Sequence, residues 1–226
     1  LQGFLLRHGR IYAGRTTWTL AYRRWLTTLR FAHPAQQIVL QDYIHAVQDA
    51  ELRVARLAEQ ITDLLPCWSL APVVQALQAM RGVGQIVAVT VAAEVGDFSR
   101  FANPRQLMAY LGLVPGENSS GQRRRLGAIT KAGNAPARRM LVEIAHLYRH
   151  PARVSPVIAR RQVNLPKTVT DIAWSAQTRL CARLRRLAAR RMPHNKIVVA
   201  IARELVRMGA DADAEPLLVG AVDLEA

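Results

Sequence analysis

The sequence predicts a mainly α-helical protein in which one long coiled-coil helix is followed by a helical domain. Two observations support this fold class. Apolar residues recur every seven positions between His33-Pro34 and Pro66, and most later apolar segments show three- and four-residue spacing, bounded by proline or glycine. Three β-branched runs, at 86–91, 169–172 and 197–201, lie within helical flanks, so we expect helix there as well.

The long helix is predicted from His33-Pro34 to about Leu65, before Pro66. Its two seam positions are both filled with apolar or small residues, which is typical of a coiled coil. Two partners would cover this seam equally well: a second copy of the chain, or a helix predicted at 16–29 and folded back as an antiparallel hairpin. Residues 1–66 are thus predicted to be a linker and coiled-coil region, and we expect homo-oligomerisation through the coiled coil. The seam residues are Leu40, Val47, Val54 and Ile61, with Tyr43, Ala50, Leu57 and Leu64 three positions after them.

The second region, 67–209, is predicted to be a helical domain. Proline, glycine and asparagine punctuate it at the positions where helices begin and end. The predicted helices cover about 70–80, 85–95, 104–111, 136–148, 156–161, 167–191 and 195–208. The last segment, 210–226, holds five acidic residues and no lysine or arginine, and we expect a disordered acidic tail.

The charge of the chain points to a polyanionic partner. The net charge is +15 over 226 residues, and 28 of the 31 basic residues are arginines. Residues 100–209 alone hold 22 basic and 4 acidic side chains. Such density repels itself unless an anion neutralises it, and the guanidinium fork suits phosphate, so nucleic acid is the expected partner. The alternative is a solvated basic surface.

Other compartments and ligands are less favoured by composition. No apolar run reaches the length of a membrane span, so no membrane partner is expected. Cys67 and Cys181 form no CxxC pair, which argues against a zinc cluster and favours a reduced, cytoplasmic setting.

A first candidate phosphate-binding element is the turn Arg81-Gly82-Val83-Gly84 between two predicted helices. Glycines at Gly82 and Gly84 would let backbone N–H groups approach a phosphate at the next helix's N-terminus, as in a helix-hairpin-helix element. A GxG sequence alone is a weak signal, and an ordinary helix connection is the alternative.

The segment 116–139 is the second candidate, and it could carry chemistry. It contains four glycines, two serines, one threonine and six cations. A serine hydroxyl can attack phosphorus when cations stabilise the developing charge. Glu117 is the only carboxylate nearby and no histidine is present, so a Ser–His–Asp hydrolase is not supported. A flexible basic loop is the alternative. The candidate phosphate-contacting residues are Ser119, Gly121, Arg123, Arg124, Arg125, Thr130, Lys131, Arg138 and Arg139.

Several blocks taken together resemble the C-terminal half of a bacterial insertion-sequence transposase family, the "IS one-ten" or DEDD type, some members of which are bridge-RNA-guided recombinases. The similarity extends over about residues 80–160. The blocks are Met80–Gly84, Glu94–Phe101, Arg105–Pro115, Ser119–Gly121 and Gly127–Asn134.

The resemblance implies a DNA-binding, strand-exchange domain whose serine forms a covalent link to a DNA phosphate. The family's serine immediately precedes a glycine, which assigns the role to Ser120 of Ser119-Ser120-Gly121. It also implies a guide RNA and an N-terminal RuvC-like domain with four acidic Mg²⁺ ligands, which we expect upstream of Leu1. This chain would then hold no cofactor or metal site, and would be inactive without that domain.

Further features allow a non-catalytic interpretation. Arg179, Arg183, Arg186 and Arg190 follow helical spacing and would line one basic face suited to a nucleic-acid backbone. His146 and His150 have a metal-compatible spacing but no evident third ligand. The alternative function is therefore a nucleic-acid-binding module, or a truncated transposase remnant, that catalyses nothing.

Overall fold

The computed structural model describes residues 1–120, 123 and 125–210. Within them it holds ten α-helices and one two-stranded sheet, which confirms the mainly α-helical fold class. The chain folds as two compact units, Leu1–Leu65 and Pro66–Ala226. The predicted acidic tail lies outside the described residues, apart from position 210.

The first unit consists of α1 (Gln2–Arg7), α2 (Leu20–Thr28) and α3 (Pro34–Leu64). Helix α2 begins later than predicted, because Thr19 caps it by accepting a hydrogen bond from the Tyr22 amide at 3.2 Å. The long helix α3 begins and ends as predicted, with Pro34 at its first position. The core of this unit is formed by Leu5, Tyr22, Leu26, Leu29 and Leu40.

The apolar seam of α3 is used in two ways. Its first part packs within the chain, where Leu40 and Ile44 join the cluster that also contains Leu26. Arg23 of α2 forms an ion pair with Glu51 of α3, with Nη1 and Oε2 2.9 Å apart. The intrachain hairpin packing therefore exists along this part of α3. Four apolar side chains further along the helix are exposed: Leu52, Val54, Leu57 and Leu64.

In the second unit, α10 packs against α6, α7 and α9, while α5 packs against α4 and α7. The shared core contains Val91 and Val95 of α5, Leu107 and Met108 of α6, and Val206 of α10. The helices are α4 (Ala71–Gln78), α5 (Gln85–Val95), α6 (Pro104–Tyr110), α7 (Ala135–Ala145), α8 (Pro156–Gln162), α9 (Lys167–Ala189) and α10 (His194–Ala210).

Polar caps followed by proline determine where several of these helices begin. Asn103 accepts hydrogen bonds from the Arg105 and Gln106 amides, and Ser155 accepts one from the Ile158 amide. In both cases proline at the next position needs no N–H partner, so it fits the first helical turn.

The structure differs from the sequence prediction at 115–129, where the expected polar loop contains a β-hairpin. Strand β1 (Pro115–Glu117) pairs antiparallel with β2 (Leu126–Ile129), with Pro115 opposite Ile129 and Glu117 opposite Leu126. The register shifts between these two pairs, which is an irregularity of the β-bulge kind. The residues that are candidates for catalysis therefore lie in or beside paired β-strands.

Candidate nucleic-acid interface

Ser119 is held by the hairpin itself. Its hydroxyl donates to Oε1 of Glu117 at 2.7 Å and accepts a hydrogen bond from the Arg125 amide at 3.1 Å. The Asn118 amide donates to the Arg125 carbonyl at 2.9 Å, which extends the pairing beyond β1. The one carboxylate near the two serines thus contacts Ser119 and orients its hydroxyl.

Ser120 lies one residue further towards the tip, where its backbone pairs with Arg123. The Ser120 amide donates to the Arg123 carbonyl at 3.2 Å, and the Arg123 amide donates to the Ser120 carbonyl at 3.1 Å. The Ser120 residue is exposed, and its hydroxyl makes no hydrogen bond with any residue that the structure describes. The predicted contacts Gly121 and Arg124 lie outside the described residues. Among the described residues, the Ser119 hydroxyl is therefore hydrogen-bonded and the Ser120 hydroxyl is not.

The hairpin's base is fixed to the chain between α6 and β1. The Thr130 amide donates to the Val114 carbonyl at 2.9 Å, and the Lys131 amide donates to the Gly112 carbonyl at 3.1 Å. Lys131 has a φ of 56°, which a non-glycine residue rarely adopts. Its side chain is exposed, as are those of Arg123 and Arg125. The hairpin and the residue just after its base thus expose three cations to solvent.

Two glycines allow the segment after β2 to approach the end of α6. Gly133 has a φ of 135°, and a Cβ there would lie 2.3 Å from the Tyr110 carbonyl oxygen. Gly112 has a φ of 64°, and its Cβ would lie 2.6 Å from the Ala132 carbonyl oxygen. Side chains fit neither position, because the backbones are in contact.

Asn134 joins this segment to α5 and α7. Its Oδ1 accepts from the Ala137 amide at 2.9 Å and so caps α7, while its Nδ2 donates to Oε2 of Glu94 at 2.6 Å. The Tyr110 hydroxyl donates to the Glu94 carbonyl at 2.7 Å. Arg100 stacks on the Tyr110 ring, with its guanidinium carbon 4.6 Å from the ring centroid. This network positions the end of the hairpin on the helical core.

The two arginines of α7 have different environments. Arg138 is half-buried, and its Nη1 donates to the Leu111 carbonyl at 2.9 Å. Arg139 is exposed and forms an ion pair with Glu143 one turn later, at 2.9 Å. Arg138 supports the same backbone that carries the hairpin, whereas Arg139 lies on the surface.

The glycine turn at 82–84 brings in a cation that the sequence did not indicate. Gly82 has a φ of 83°, and a Cβ there would lie 2.6 Å from a methyl carbon of Leu147. Gly84 is the N-cap of α5 and supplies no side-chain cap. Arg161 of α8 donates from Nη1 to the Val83 carbonyl at 2.9 Å, so a guanidinium lies beside the start of α5. The helix-hairpin-helix identity of this turn stays a prediction.

Comparison with known proteins identifies the region that contains the hairpin. The Transposase IS116/IS110/IS902 family matches residues 74–159, from α4 into α8. Over residues 74–159 the chain is similar to transposases of this family. At this level the resemblance noted from the sequence blocks is confirmed.

Three proteins that are similar to this chain are named as transposases. A Sinorhizobium fredii protein named as transposase y4qE is 48% identical over 205 residues, which cover 91% of this chain and 49% of that protein. A Pseudomonas aeruginosa protein named as a family 20 transposase is 34% identical over 170 residues, covering 75% and 43%. The Coxiella burnetii transposase for insertion sequence element IS1111A is 36% identical over 119 residues, covering 46% and 33%. The chain thus spans about half the length, or less, of these relatives.

The four arginines of the basic face predicted on α9 differ in their contacts. Arg179 and Arg183 contact one carboxylate, Glu204 of α10, at 2.6 and 2.7 Å. Arg186 and Arg190 are exposed on the same helix. Arg203 and Arg207 of α10 lie by the first two. Sequence spacing grouped the α9 arginines, but it could not show that α10 brings two more.

The histidines form no metal cluster in the part of the chain that the structure describes. His146 contacts His194, with Nδ1 and Nε2 3.2 Å apart, while His150 accepts from Nε of Arg149. Across the described residues, no group of three or more His, Cys, Asp or Glu side chains is arranged as metal ligands would be. Within the same residues, no helix combines the length and apolar character that crossing a bilayer requires.

Proposed function

We propose that this chain is the DNA-binding, strand-exchange part of an insertion-sequence transposase, with Ser120 as the nucleophile. One observation carries the proposal: Ser120 is exposed on a hairpin that also exposes Arg123 and Arg125, within the segment that is similar to the transposase family, and its hydroxyl makes no hydrogen bond to the described residues. Ser119 instead donates its hydroxyl to Glu117 and accepts the Arg125 amide, so its hydroxyl is held within the hairpin.

The proposed step is a transesterification at phosphorus. A bond forms between Ser120 Oγ and the phosphorus of a DNA phosphodiester as one of its bonds to a deoxyribose oxygen breaks. The serine gives its proton to solvent water, and the leaving deoxyribose oxygen takes one from solvent water. One phosphate ester replaces another, so no oxidant or external energy source is needed. A second DNA hydroxyl can reverse the step on another strand, which would exchange the strands.

The cations of the hairpin would stabilise this step. Arg123, Arg125 and Lys131 are exposed within the segment that carries Ser120. Cationic donors placed where negative charge develops on the phosphoryl oxygens lower the barrier most when they are preorganised. The backbone pairing of Ser120 with Arg123 and the anchoring at Glu94 would supply that preorganisation. Glu117, which accepts the Ser119 hydroxyl, would orient the hairpin.

Other parts of the proposal follow from the family. The Mg²⁺ ligands of a RuvC-like domain and the binding of a guide RNA would belong to parts of the relatives' length that this chain does not cover. The exposed apolar residues along the seam of α3, Val54, Leu57 and Leu64, would support homo-oligomerisation. We expect the protein to act in the cytoplasm, where bacterial DNA is found.

Salt dependence of DNA binding tests the binding part of this proposal. The affinity of the chain for a 30-base-pair duplex would be measured from about 50 to 200 mM salt, where phosphate contacts make log K fall linearly with log salt. We expect the double variant Arg123→Ala/Arg125→Ala to reduce the slope by about two. Arg56→Ala, an exposed arginine of α3, is the control. A flat plot for the unaltered chain would rule out DNA as the partner.

A further inference from the structure

An open cavity of about 350 Å³ lies where α6, α9 and α10 meet, away from the hairpin. Four arginines and one glutamate line it, with Met108 and Ala200 forming the apolar part of the wall. The charged residues are Arg179 and Arg183 of α9, and Arg203, Glu204 and Arg207 of α10. Guanidinium groups are protonated at neutral pH, so the lining carries a net charge of +3.

Glu204 organises two of the four arginines. Its side chain is only 7% exposed, and it contacts Nε of Arg179 at 2.6 Å and Nε of Arg183 at 2.7 Å. These contacts are made by the Nε atoms. Arg179 and Arg183 are 52% and 40% exposed, so part of each side chain is accessible to a ligand from solvent.

Arg203 and Arg207 add two guanidinium groups from α10 to the two from α9. Helices α9 and α10 pack against each other, so arginines of two elements line the same open space. Guanidinium groups that converge from two elements are suited to binding an oxyanion.

We propose that this arginine cavity binds a phosphate oxyanion. Phosphate accepts several hydrogen bonds and matches the forked geometry of guanidinium groups better than it matches lysine. The volume is well above the roughly 30 Å³ that a water molecule takes in the liquid, so an anion fits with some of its waters. Glu204 acts as the positioning residue, because it holds two arginines in place without cancelling the positive charge.

The phosphate can come from two sources, the backbone of a nucleic acid or free phosphate in solution. The nucleic-acid source deepens the proposed function and rests on it, because a second phosphate site would fix the register of a bound DNA duplex relative to Ser120. Free phosphate would instead stabilise the helical domain as a small-molecule ligand.

Two measurements on the full chain distinguish these sources. The first is the salt dependence of binding to a 30-base-pair duplex, and the second is the stabilisation of the melting temperature by inorganic phosphate against chloride at equal ionic strength. The cavity variant is Arg203→Gln/Arg207→Gln, which leaves Arg179 and Arg183 in place beside Glu204. Arg53→Gln/Arg56→Gln removes the same charge from exposed positions of α3, and is the matched control.

A backbone site predicts that the cavity variant lowers the salt slope by about two and the affinity by at least about tenfold, with a smaller change in the control. A free-phosphate site predicts that only the phosphate-specific stabilisation is lost. If the double variant does not fold, Arg179→Gln, which leaves Arg183 paired with Glu204, should show about half of either effect. Folded variants that match the control in both measurements would overturn the proposal. A flat salt slope in the unaltered chain would overturn the proposed function, while the phosphate measurement would still decide this site.

Discussion

Asn134 donates a 2.6 Å hydrogen bond from Nδ2 to Oε2 of Glu94, and this bond joins the segment that follows the hairpin to α5. The same side chain caps α7 through Oδ1. One residue thus fixes both the helix that follows the hairpin and its position against the core.

Replacement of Asn134 should therefore destabilise the domain. We expect Asn134→Ala to lower the free energy of unfolding by about 2 kcal/mol, since it removes a helix cap and leaves the half-buried Glu94 without its amide donor. Urea denaturation measures the change. Asn118→Ala, at an exposed hairpin position, is the control and should have little effect. Equal stability of the two variants would contradict the anchoring role.

Gly133 should tolerate no side chain. Gly133→Ala should cost about 2 kcal/mol or more, because its φ is 135° and the new Cβ would lie 2.3 Å from the Tyr110 carbonyl oxygen. Gly116→Ala is the matched change within the hairpin, where the Cβ would meet its nearest described neighbour, the Ala128 carbonyl oxygen, at 3.5 Å. Thermal unfolding of both variants compares them. A Gly133→Ala protein as stable as Gly116→Ala would contradict the close approach of the Gly133 and Tyr110 backbones.

The two cysteines should react at very different rates. Burial raises the pKa of the Cys181 thiol, an effect that the neighbouring Arg81 guanidinium opposes, whereas Cys67 is exposed. At pH 7.5 a thiol-reactive disulfide should label Cys67 first, and Cys181 at least about tenfold more slowly, because the thiolate is the reactive form. Labelling in denaturant should make the two equivalent. Rapid labelling of both thiols in the folded Cys67→Ser and Cys181→Ser proteins would contradict this.

The turn before α6 should show a pH dependence. Hydrogen bonds from the Ser99 hydroxyl and amide lower the pKa of Asp97 below its ordinary 3.8. A lowered folded-state pKa means that Asp97 stabilises the fold above pH 3.8, and that this contribution is lost as the pH falls through the folded value. Ser99→Ala should raise the pKa of Asp97 towards 3.8, as measured by NMR titration of its carboxyl. Ser175→Ala, an exposed serine of α9, should leave it unchanged.

Local signals in the sequence predicted most helices but not the contacts that position the site. Asn103-Pro104 and Ser155-Pro156 mark helix starts that the structure confirms, because capping depends on adjacent residues. The hairpin was missed because β1 and β2 have three and four residues and no apolar alternation. Asn134 and Glu94 are 40 positions apart, and Arg161 is 78 from Val83, so sequence spacing could not relate them.

The assignment of Ser120 is tested most directly by covalent capture of DNA. This chain would be joined to the part of the Sinorhizobium fredii relative that it does not cover, and incubated with radiolabelled element-end DNA and the RNA from the same element. Denaturing electrophoresis then detects a protein–DNA adduct. We predict an adduct with the unaltered protein and with Ser119→Ala, and none with Ser120→Ala. The native Ser119 hydroxyl is held by Glu117 and the Arg125 amide, so its loss should leave the adduct. An adduct that persists in Ser120→Ala, or that is lost only in Ser119→Ala, would contradict the assignment.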